Sequence, residues 1–78
     1  MNRGTLLLNN NEIKEVLKYI YIEKLEIALQ NEEVQKSILF NEEELESILD
    51  AIGIVDNNEI LLAVKDKISK LLLSFRNL

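Results

Sequence analysis

Apolar and polar positions follow helical spacing through most of this chain. After Asn41, the residues Leu45, Ile48, Leu49 and Ile52 fall at i, i+3, i+4 and i+7, one face of an α-helix, and Gly53 stands where a C-terminal stop belongs. Further on, Ile60, Leu61, Val64, Ile68, Leu71, Leu72 and Phe75 form a broad stripe, while Leu62 and Leu73 project from another side. Earlier, Ile13, Val16, Leu17, Ile20, Ile27 and Ala28 make one stripe, interrupted by Lys24. Ile22, Leu25 and Leu29 make a second, flanked by Tyr19 and Tyr21. A helix that is apolar on two sides is either central in its bundle or covered by another chain.

Helix starts carry a repeated signature. LNNNEI (8–13), FNEEEL (40–45) and VDNNEI (55–60) each place Asn or Asp between an apolar residue and, three positions on, a glutamate. Asn9, Asn41 and Asp56 are therefore the expected N-caps, with Glu12, Glu44 and Glu59 reaching back as in a capping box. The run Glu42–Glu44 reads as a first turn favoured by the helix dipole. Segment 31–40 is the least regular. Val34 and Ile38 keep the phase of Ile20 and Ile27, which would extend one helix from Asn10 to Leu39, but the polar window Gln30–Glu33 argues for a break.

These readings predict an all-α fold. The expected architecture is a small bundle of four helices, alternatively three, in an up-down antiparallel arrangement, spanning residues 1–78 as a single domain. The helices are expected over about 10–29, 32–39, 42–52 and 57–76, preceded by an N-terminal arm over 1–8. No proline interrupts them.

Composition narrows the chemistry. With no cysteine or histidine, the chain lacks disulfides and the usual zinc and haem ligands, so no metal and no cofactor is expected. It also lacks a Gly-rich phosphate loop. Ser37, Ser47, Ser69 and Ser74 fall in the expected helices without a neighbouring base, so no enzyme and no small-molecule substrate is expected. The leading apolar run is only three leucines long, and no segment approaches a membrane span, which points to a cytoplasmic protein.

Charge is uneven. Residues 1–30 are balanced, residues 31–56 carry −7 and the remainder +2, for a net −5. Glu32, Glu33, Glu42, Glu43 and Glu46 form an acidic surface candidate, while Lys65, Lys67, Lys70 and Arg76 make the C-terminal helix mildly basic.

The function expected from this pattern is a non-enzymatic protein–protein interaction module, a regulator, adaptor or inhibitor that docks through apolar helix faces and self-associates as a homodimer. Tyr19, Ile22, Leu25, Leu29, Leu62 and Leu73 are the candidate contacts. The alternative is a nucleic-acid accessory protein using the basic helix, or a DNA mimic using the acidic middle. An acidic chain makes direct nucleic-acid binding the weaker expectation.

Overall fold

The computed structural model describes residues 3–53 and 58–76. In order along the chain it contains β1 (Arg3–Asn9), α1 (Asn10–Leu17), α2 (Glu23–Leu29), β2 (Gln35–Asn41), α3 (Glu42–Ile52) and α4 (Glu59–Arg76). The fold is α+β, which overturns the all-α bundle. β1 and β2 pair antiparallel over their full length, from Arg3 opposite Asn41 to Asn9 opposite Gln35, as a two-stranded ribbon.

Two of the expected elements are thereby replaced. The N-terminal arm over 1–8 is mostly strand, and the helix expected over 32–39 is β2. The physical reason is that an apolar run this short fits either period. Leu6 and Leu8 point inward with Ile38 and Phe40, as strand alternation requires, but Leu7 and Leu39 on the opposite face blur that alternation.

The helix expected over 10–29 is two helices. Lys18 closes α1, and the Val16 carbonyl accepts from the amides of both Tyr19 and Ile20 as the last turn tightens. Tyr19-Ile20-Tyr21-Ile22 is aromatic and β-branched throughout, a stretch of weak helix formers, and the chain is extended at Ile22 before α2 begins.

Three caps are built locally. Asn9 accepts from the Glu12 amide and Asn41 from the Glu44 amide, each at 2.8 Å, while both glutamates bond back to the cap amides at 2.9 Å. For α4, the Asn58 side chain accepts from the Leu61 amide at 3.1 Å; the expected cap Asp56 lies outside the described residues. Gly53 ends α3 at φ 68°, a left-handed conformation that suits glycine.

One core joins two layers. The inner face of the ribbon supplies Leu6, Leu8, Ile38 and Phe40. The helices answer with Ile13, Val16, Leu25, Leu45, Ile48, Ile52 and the α4 stripe Leu61, Val64, Ile68, Leu72 and Phe75.

The two layers are organised by an internal repeat. LLLNNNEIKEVL (6–17) and ILFNEEELESIL (38–49) align strand on strand, cap on cap and helix on helix. Their equivalent residues Leu6 and Ile38 face each other in the ribbon, so a local two-fold axis passes between them. Each half is a strand followed by two helices.

The halves diverge on the ribbon's inner face. Gly4 lets α4 lie close on β1, since a Cβ there would stand 2.5 Å from Leu71 Cδ1 and 3.0 Å from Phe75 Cε1. Its equivalent on β2 is Lys36, and among the described residues no long helix like α4 packs against β2, which meets α2 and α3.

Candidate interaction surface

With the inner face of the ribbon in the core, its other face meets solvent. Thr5 opposite Leu39 and Leu7 opposite Ser37 form the centre, with Arg3 and Gln35 towards the ends. Leu7 and Leu39 are each 51% exposed. They are diagonal neighbours across the strands, a relation that separates Cα atoms by roughly 7–8 Å, and they are equivalents under the internal repeat.

A ribbon of two strands leaves both outer edges without a strand partner, and each edge is held here by a lysine. Lys67 of α4 donates to the Leu7 carbonyl at 2.8 Å and to both Glu12 oxygens at 2.8 and 2.9 Å. Lys24 of α2 donates to the Leu39 carbonyl at 2.8 Å and pairs with Glu44 at 2.8 Å. The carbonyls and glutamates are repeat equivalents, whereas the lysines come from different positions of their helices. Each capping glutamate therefore secures a helix start and a strand edge together.

For Glu44, burial pushes the carboxyl up, but the hydrogen bond from Lys24 and the Asn41 amide outweigh it. Aided by the charges of Lys24 and Arg3, they hold it below the ordinary carboxylate value. A depressed folded-state value contributes stability that is complete above the unfolded carboxyl range and is lost as pH falls through the folded one. Acidification below about pH 4 is expected to destabilise the parent more than Glu44→Gln. Chemical-denaturation midpoints measured across pH would test this, and parallel curves would refute it.

The residues singled out from the sequence do not share one face. Leu25 is 0% exposed and lies in the core, while Ile22 and Leu29 pack partly against it. The second stripe assigned to the first helix is thus the inward side of α2. Tyr19 is exposed in the α1–α2 connection. Leu62 and Leu73 are exposed on α4 but stand roughly 16 Å apart along the helix, separated by exposed Asp66, Ser69 and Lys70.

Glu32, Glu33 and Glu43 are exposed, whereas Glu42 and Glu46 are bridged by Arg76 at 3.2 and 2.6 Å. The other α4 cations are also engaged: Lys65 donates to the Gly53 carbonyl at 3.0 Å and Lys70 pairs with Asp66 at 2.9 Å. The acidic middle is thus partly neutralised by its own C-terminal helix.

Sequence reasoning missed the ribbon residues Leu7, Leu39 and Lys36. The signal that would have found them is the repeat of 6–17 in 38–49, because two copies of one apolar-then-capped segment are candidates for pairing. Among the described residues no helix is long and apolar enough to cross a membrane. Compared with known proteins, the chain matches no family model, no curated protein and no solved structure.

Proposed function

We propose that the protein is a non-enzymatic interaction module, a small regulator, adaptor or inhibitor, that docks on another protein through the solvent face of its ribbon. The observation that supports this most is the Leu7–Leu39 pair, two half-exposed leucines side by side next to the local two-fold axis. Contiguous apolar exposure of this kind favours a partner surface, unlike the isolated Leu62 and Leu73. Two of the serines fit a non-catalytic role, since Ser47 donates to the Glu43 carbonyl and Ser74 to the Leu71 carbonyl in their own helices. A cytoplasmic setting goes with this reading.

Self-association through the ribbon face is the first form to test. The double variant Leu7→Glu/Leu39→Glu is expected to stay folded, because both side chains point to solvent. It should lose any dimer seen by light scattering, and any partner that the parent retains from native lysate. Leu62→Glu/Leu73→Glu should behave as the parent. If the ribbon variant keeps its assembly and its partners while the α4 variant loses them, docking belongs to α4.

A second reading has one specific observation behind it. A two-stranded ribbon is an element that fits the major groove of DNA, and Arg3, Thr5, Gln35 and Ser37 put hydrogen-bonding groups on its solvent face. Electrostatics favours the protein partner. Seven of the nine cations already have partners within the chain: Lys18, Lys24, Lys36, Lys65, Lys67, Lys70 and Arg76. Few remain for phosphates. Salt-sensitive binding of a duplex probe that is lost in Arg3→Glu would reverse this preference.

A further inference from the structure

We infer that the groove between α2 and β2 is a binding site for a small aliphatic monocarboxylate, anchored by Lys36. The groove, of about 530 Å³, lies where the two halves of the fold diverge, beside the short α2. Lys36 forms part of its lining and is only 4% exposed. Its ammonium donates to the Asn10 side-chain oxygen at 2.8 Å and to the Glu33 carbonyl. Both acceptors are neutral, which leaves one of its three N–H groups and its charge uncompensated. Among the described residues no carboxylate forms an ion pair with it.

The opposite flank of the ribbon supplies the contrast. There a second groove is lined by Lys67 and Lys70, and each of those lysines already has a carboxylate, Glu12 or Asp66. A buried cation held only by neutral oxygens is costly, and a ligand carboxylate supplies the charge it lacks. The rest of the groove selects the ligand. Ile27, Ala28 and Ile38 offer apolar lining for an alkyl chain. Glu33 also lines the groove, so an anion of two or more charges meets repulsion that a monocarboxylate meets least. Lys24 is committed to Glu44 and the Leu39 carbonyl, which leaves Lys36 as the anchor.

The test titrates the full-length protein with octanoate, followed by amide and methyl chemical shifts, with octanol as the uncharged comparator. The expected result is saturable binding of octanoate with shifts centred on Ile27, Ala28 and Ile38. Octanol should bind about tenfold or more weakly, the scale of one charge-assisted hydrogen bond. Lys36→Gln should erase the preference for the acid over the alcohol. Since a buried substitution can disturb the fold, Glu33→Gln serves as the second variant. It changes an exposed side chain and should leave octanoate binding equal or tighter. Equal affinity for octanol and octanoate, shifts centred elsewhere, absence of saturation, or weaker binding by Glu33→Gln would each overturn the assignment. No protein partner enters this test, so its outcome is independent of docking through the ribbon.

Discussion

Leu25→Glu is expected to unfold the protein, although the sequence pattern places Leu25 among the candidate docking contacts. Leu25 is fully buried on the inward side of α2 and belongs to the single core. Truncating a buried leucine costs about 2–5 kcal/mol, and a carboxylate set in its place adds the penalty of an unpaired buried charge. A domain of this length has about 4–12 kcal/mol of stability in all, so the change removes most or all of it. Circular dichroism at 25 °C should show lost helix. Leu62→Glu, on the exposed side of α4, should melt close to the parent, within about 0.5 kcal/mol. A Leu25→Glu chain that melts like the parent would show that α2 turns this residue outward.

The second large effect is expected at Phe40. Its ring is fully buried at the β2 end of the ribbon, opposite Gly4, with the Lys24 ammonium 5.2 Å from the ring centroid. Phe40→Ala should cost about 3–5 kcal/mol, combining lost burial with a cavity under the ribbon. The lost cation–π contact contributes about 0.5–1 kcal/mol of that. Phe40→Leu should cost less than about 1.5 kcal/mol, because the volume is nearly kept and the repeat equivalent Leu8 is already a leucine. Urea denaturation of the three proteins would measure both steps. Equal costs for alanine and leucine would mean that contacts of the ring itself, and not core volume, dominate.

Both residues illustrate where sequence reading succeeded and where it stopped. Asn9 and Asn41 were legible because a cap is a conversation among four consecutive residues, and the donors they satisfy exist in any helix that starts there. The core face of α3 and that of α4 were legible for the same reason, as period-3.6 stripes over three turns or more. Leu25 was misplaced because its apparent stripe assumed one continuous helix over 10–29. The break at Tyr19–Ile22 turned an apparent outer face into the inner face of a new helix. The ribbon was missed because leucine is a good helix former and strand preference depends on what lies across the sheet. Leu7 and Leu39, the central residues of the proposed docking face, carry no mark in the sequence, since their exposure follows from pairing with a strand far along the chain.

By itself, then, the amino-acid sequence determined what acts over one or two helical turns: the helix starts at Asn9 and Asn41, the stop at Gly53, the apolar stripes, and the absence of cysteine and histidine chemistry. Tertiary structure alone decided the strand pairing, the two-fold relation between halves, the lysines holding each ribbon edge and the groove at Lys36. Those features join residues such as Leu7 and Lys67, or Asn10 and Lys36, that no local rule connects. Whether a short apolar run becomes strand or helix is settled by the partner that covers it, and here that partner is the other copy of the same repeat.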